Sequence, residues 1–109
     1  MSRRVSKQEH FLRLLRSAEK NQQKALLKSA TDEQVKALSE IILNLLAGFL
    51  PISTKTKRSL SKYKDKLRGV VDRSVSVLTL KRRWNRLPTD VLENIIKIAL
   101  GYLASSGNL

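Results

Sequence analysis

The chain has 109 residues, 41% of them hydrophobic and 5% aromatic, and a formal net charge of +13 at pH 7. That length supports one small domain with one mainly aliphatic core and is too short for two. The sequence has no cysteine and a single histidine, His10, which excludes disulfides, cysteine-based zinc sites and a convincing catalytic triad.

The opening, Met1 to Arg4, is basic but runs into Val5, Ser6, Lys7, Gln8, Glu9 and His10, so no secretory signal peptide is expected. No apolar run approaches the roughly 20 residues of a membrane-spanning helix. A soluble, intracellular protein is expected, with a flexible basic N-terminus over 1–6, a helical domain over 7–104 and a flexible C-terminus over 105–109.

The dominant period is helical. Phe11, Leu14, Leu15 and Ala18 recur at i, i+3, i+4 and i+7 while Arg13, Arg16 and Lys20 fall elsewhere, which predicts a first helix over roughly 7–19. Asn21 is a candidate cap for a short second helix carrying Ala25, Leu26 and Leu27 and ending near Ser29 and Ala30. Thr31-Asp32-Glu33-Gln34 reads as a capping box, with acidic side chains at the positive end of the dipole, and starts a third helix at Asp32.

In that third helix Val35, Leu38, Ile41, Ile42, Leu45, Leu46 and Phe49 form a wide apolar face, which predicts a central helix touched from more than one side. Gly48 and Pro51 stop it. Ser53 or Thr54 caps the next, whose narrow stripe is Leu60, Tyr63, Leu67, Val70 and Val71, with Arg58, Lys62 and Lys66 four apart on another face. Ser74 to Leu80 alternates in part like a strand, but no second strand candidate exists to pair with it. An irregular turn over Arg73 to Ser76 and a short helix through Leu78, Leu80 and Trp84 are therefore expected. Pro88 and Asp90 open a last helix with Val91, Leu92, Ile95, Ile96, Ile98, Ala99, Leu100, Tyr102 and Leu103. The fold class is all-α, a compact single-domain bundle of five or six short helices.

Charge is unevenly placed along these elements. Lys55, Lys57, Arg58, Lys62, Lys64, Lys66, Arg68, Arg73, Lys81, Arg82, Arg83 and Arg86 face only Asp65 and Asp72 within the segment 55–86, which thus holds ten of the thirteen net charges. Interleaved acids would make this an ordinary solvated surface. Without them it points to a polyanion, nucleic acid first and an anionic membrane second. These twelve cations are the candidate nucleic-acid-binding residues, contacting phosphates without base readout, since no helix-turn-helix signature and few stacking aromatics accompany them. Lys81, Arg82 and Arg83 also suit a nuclear import signal. Trp84, inside this second cluster, is expected to fill a core edge.

Catalytic chemistry finds no footing. His10 is expected on a helix surface. Gly48, Gly69, Gly101 and Gly107 do not cluster into a phosphate loop, and Asp32, Glu33 and Asp90 fall at helix starts where dipole pairing explains them. No metal-ligand spacing appears. A non-enzymatic protein without cofactor, metal or small-molecule substrate is expected.

Two resemblances accompany these observations. Leu87 to Ile96 resembles the opening of an F-box, although a proline-opened amphipathic helix is generic. Over residues 10–80, His10-Phe11-Leu12-Arg13-Leu14-Leu15, Gln22-Gln23-Lys24-Ala25-Leu26-Leu27, Ala30-Thr31, Ala37-Leu38-Ser39-Glu40-Ile41, Asn44-Leu45-Leu46 and Pro51-Ile52-Ser53 resemble small basic core-like virion proteins of Polinton/Maverick elements and related adenovirus-like (adintovirus-type) viruses. Lys57-Arg58, Leu60, Tyr63-Lys64, Leu67-Arg68 and Ser74-Val75-Ser76 continue the likeness. It implies a protein that binds or condenses double-stranded DNA in the virion and the host nucleus. The proline-opened helix from Trp84 to Leu103 departs from the glycine- and leucine-rich tail of such proteins. The competing expectation is an assembly module, in which apolar helices 32–49 and 89–104 build a homo-oligomer or dock on a capsid protein and the charge is secondary.

Overall fold

The computed structural model describes residues 3–48, 50 and 52–107, with side chains described as far as Ala104. Its elements are α1 (Arg3–Lys7), α2 (Glu9–Ser17), α3 (Lys20–Lys28), α4 (Asp32–Leu46), α5 (Thr54–Ser61), α6 (Lys64–Gly69), α7 (Val77–Arg86) and α8 (Thr89–Gly107). The described residues are all-α, as expected, but hold eight helices where five or six were expected.

One additional helix forms in the N-terminal segment expected to be flexible, and the other arises where the helix expected after Ser53 bends to serve two packing partners. Residues 3–6, expected to be flexible, form α1 together with Lys7 because Val5 is fully buried against α4, and Arg4 reaches Glu33 in the first turn of α4 at 3.5 Å. The chain then turns at Gln8, whose N–H donates to the Val5 carbonyl at 3.0 Å. That turn aims α2 at α8 and buries Phe11, Leu12 and Leu15. Leu14, expected on the buried face, is 42% exposed.

A second bend divides the expected helix after Ser53. Lys62 and Tyr63 lie between α5 and α6, and Tyr63 N–H donates to the Leu60 carbonyl at 3.0 Å in a tighter, three-residue bond. Arg58, Lys62 and Lys66 at i, i+4 spacing repel one another, so this stretch gains little from its own helicity. Leu60, Leu67 and Val70 instead tie it to the core.

Capping fixes the remaining starts. Thr31 and Gln34 form the expected box, with Gln34 N–H donating to Thr31 Oγ1 at 3.1 Å and Thr31 N–H to Gln34 Oε1 at 2.8 Å. Asn21 does not cap α3. Glu19 does, in a reciprocal box with Gln22, because the partner must sit three residues after the cap. Ser53 caps α5 and Ser76 caps α7, each accepting from a backbone N–H three residues on at 3.2 Å. Gly48 ends α4 with φ +79°, the left-handed conformation that glycine adopts without penalty. Phe49 and Pro51, assigned to the third helix face and its stop, lie outside the described residues, as do residues 1, 2, 108 and 109.

The core matches the aliphatic expectation. α4 is central: Val35, Ala37, Leu38, Ile41 and Ile42 are buried, and it packs on α1, α7 and α8. α8 buries Val91, Leu92, Ile95, Ile96, Ala99, Leu100 and Leu103 against α2, α4 and α5. It continues as helix through Gly107, past the end at 104 that was expected. Trp84 is 1% exposed, a core residue more than an edge one. The radius of gyration, 12.9 Å, is that of a packed chain of this length, about 13 Å. No described helix is long and apolar enough to cross a membrane.

Candidate nucleic-acid interface

α5 and α6 lie on the surface because their apolar residues form a single thin stripe. Leu60 and Leu67 are the buried positions of these two helices, leaving the rest of each circumference to solvent. Lys55, Lys57, Arg58, Lys62, Lys64, Lys66, Arg68 and Arg73 are all exposed. The distance from Lys55 to Arg68 along the two helices is about 20 Å at 1.5 Å per residue. That is the rise of about six base pairs of duplex at 3.4 Å each.

α7 carries the second cluster differently. It buries Trp84 and half-buries Val77 and Leu80, and its cations divide by face. Arg82 and Arg86, four apart, are exposed, while Lys81 and Arg83 are half-buried. Arg83 Nη1 donates to the Gly69 carbonyl at 2.8 Å and lies 3.6 Å from Asp72 Oδ2. Gly69 is the last residue of α6, so the guanidinium also answers the negative end of that short helix.

Asp72 is itself held in place. Its Oδ1 accepts from Ser74 Oγ at 2.6 Å and from Ser74 N–H at 2.9 Å. These two bonds, helped by the Arg83 charge, hold the Asp72 carboxyl below its ordinary value. Ser39 Oγ on α4 donates to the Val70 carbonyl at 3.2 Å, which fixes the same corner from the core side. The structure thus joins the end of the first cluster, at Arg68, to the α7 cluster through Arg83. The other end, at the start of α5, lies near α8, with Ser53 and Thr56 lining a cleft shared with that helix.

Among the described residues, Arg83 alone of the twelve candidate cations is ion-paired with an acid. Lys66 Nζ lies 5.8 Å from the ring centroid of Tyr63, a contact that orients the ammonium and leaves its charge available. Arg83 therefore positions the surface more than it contributes to it, a role with no local sequence signal because Gly69 and Asp72 lie fourteen and eleven residues away. His10 is exposed on α2, and Asp32, Glu33 and Asp90 occupy the first turns of α4 and α8.

No family model, curated protein or solved structure matches this chain. The chemistry of the surface itself carries the functional reading.

Proposed function

We propose that this protein binds nucleic acid, double-stranded DNA above all, through its phosphate backbone and without reading sequence. The observation that carries this is the set of exposed cations on α5, α6 and α7, free of acidic partners among the described residues and held by a thin apolar stripe. Each lysine or arginine that meets a phosphate releases condensed counterions, so affinity comes from charge and falls with salt. The resemblance to core-like proteins of Polinton/Maverick and adenovirus-like elements supplies a biological setting, genome condensation in a virion assembled in the host nucleus. No catalytic step belongs to this function.

The assembly reading has less support. Most of the apolar residues of 32–49 and 89–104 that would build a homo-oligomer or meet a capsid protein lie inside the monomer. Among the described residues the large hydrophobics left exposed, Leu14, Leu43, Leu46 and Leu78, come from three different helices.

The test is a gel-shift titration on random duplex across a salt series, comparing the protein with a variant carrying Ala at Arg58, Lys62, Lys66 and Arg68. A logarithmic salt slope that flattens by about 3 to 4, near 0.9 per phosphate contact, is expected. Tight binding unchanged by the substitutions would sink the proposal, and binding that persists at high salt would favour apolar association.

A further inference from the structure

Three cations outside the segment 55–86 converge on the far part of α8. Arg13 and Arg16 on α2 and Lys97 on α8 line a cleft of about 770 Å³ between the two helices, floored in part by Gly101 and Ala104. On the other flank of the same ridge, Lys97 and Gly101 also line a cleft of about 510 Å³ whose opposite wall is the start of α5, at Ser53 and Thr56. The first cleft is a trough between α2 and α8, and its α8 wall, at Lys97 and Gly101, is shared with the second cleft on the side of α5. Gly101 is exposed, and a Cβ there would meet nothing within 4 Å among the described residues. A ligand backbone can therefore approach α8 closely at that point.

The charge of the trough is not cancelled internally. Arg13 is 3.6 Å from Glu9, but Arg16 and Lys97 are exposed and have no ion-pair partner among the described residues. Glu93 lies one turn before Lys97 and lines neither cleft. α8 packs on α2, α4 and α5, whereas α7 packs on α3, α4 and α6. The trough and the α7 cluster thus belong to different flanks of the central helix.

The geometry points to a second phosphate-binding surface in this trough, in which Arg16 and Lys97 contact the sugar–phosphate backbone above Gly101. The inference rests on the nucleic-acid reading and enlarges it: the footprint passes from α5 over α8 to α2, around the domain. A binding surface confined to 55–86 would leave α2 and α8 without effect. Phosphate is the ligand chemistry because the converging groups are monovalent cations on a concave, small-residue floor.

The same gel-shift salt series tests it with two further variants. Arg16→Ala/Lys97→Ala removes two exposed cations and is expected to flatten the salt slope by about two. Gly101→Leu fills the floor at unchanged net charge and is expected to weaken duplex binding, with helical circular dichroism retained since leucine is the better helix former. A slope in Arg16→Ala/Lys97→Ala equal to that of the unaltered protein overturns the second surface. So does a Gly101→Leu variant that binds as tightly as the unaltered protein. If the Arg58, Lys62, Lys66 and Arg68 variant still flattens the slope in those cases, only the trough has failed. An unaltered protein that shows no salt-dependent duplex binding removes both proposals together.

Discussion

Arg83 holds the carbonyl of Gly69 at 2.8 Å, and by this one bond α7 is fastened to the end of α6. The bond adds to the packing of α7 on α6 and ties the two basic clusters together. Arg83→Ala is expected to lower stability by about 1 kcal/mol, the net worth of a hydrogen bond partly open to solvent. A urea melt followed by circular dichroism measures it, and an unchanged midpoint would refute the role. Both contacts are made by one nitrogen, Nη1, so Arg83→Lys, whose ammonium also carries several donors on one atom, should recover part of the loss.

The Asp72 carboxyl is held below its ordinary value of 3.8, first by the Ser74 hydroxyl, then by the Ser74 N–H and the Arg83 charge. Because the folded value is depressed, the stabilisation is present above the ordinary carboxylate range and is lost as pH falls through the folded value. Asp72→Asn is therefore expected to be less stable than the unaltered protein at neutral pH, with the gap closing in acid. Thermal melts of both proteins from about pH 6 to about pH 2 check the sign. A gap that stays constant over that range contradicts it.

Gln23 is 2% exposed, and its Nε2 donates to the Leu15 carbonyl at 2.8 Å. Leu15 sits in the last turn of α2, where carbonyls lack intrahelical donors, so a side chain from α3 caps its neighbour. Gln23→Ala leaves that carbonyl unpaired and is expected to cost about 1 to 3 kcal/mol. Lys24→Ala, one position away on an exposed side chain, should cost less, and equal losses in the two denaturation curves would refute the cap.

Gly48 is predicted to resist substitution for conformational reasons alone. Its φ is +79°, and no atom of the described residues lies within 4 Å of the place a methyl group would occupy, so Gly48→Ala meets strain and no clash among them. The expected loss is about 1 kcal/mol in a chemical melt. A neutral result would show that the α4 terminus relaxes to another backbone conformation.

Repulsion among the exposed cations of α5 and α6 predicts that added salt stabilises the free protein. Raising ionic strength from about 0.01 M to about 0.15 M shortens the screening length from about 30 Å to about 8 Å, and the melting temperature is expected to rise across that range. The rise should shrink in the variant with Ala at Arg58, Lys62, Lys66 and Arg68. A melting temperature that falls with salt would mean that attractive pairs dominate instead.

Much of this fold was legible because its signals are local. Thr31 and Gln34 announce α4 within four residues, and Gly48 closes it. Ser76 was readable as a turn-to-helix boundary once no partner strand was found. The bends at Gln8 and at Lys62 to Tyr63 were not readable, because they depend on which neighbour receives Val5, Phe11, Leu60 or Leu67. Asn21 has better intrinsic capping propensity than Glu19, yet only Glu19 has a glutamine three residues on. Of the candidate interface, the cations were visible in the sequence. The tie of Arg83 to Gly69 and the approach of Arg16 to Lys97 come from the tertiary arrangement.

The lone tryptophan gives the molecule an optical gauge. Trp84 is 1% exposed, and its indole N–H has no hydrogen-bond partner among the described residues. Its fluorescence in the native state should be blue-shifted and shielded from aqueous quenchers. Lying beneath Arg82 and Arg86 on the same helix, it will report the loosening of α7 while remaining out of contact with any ligand on the surface above.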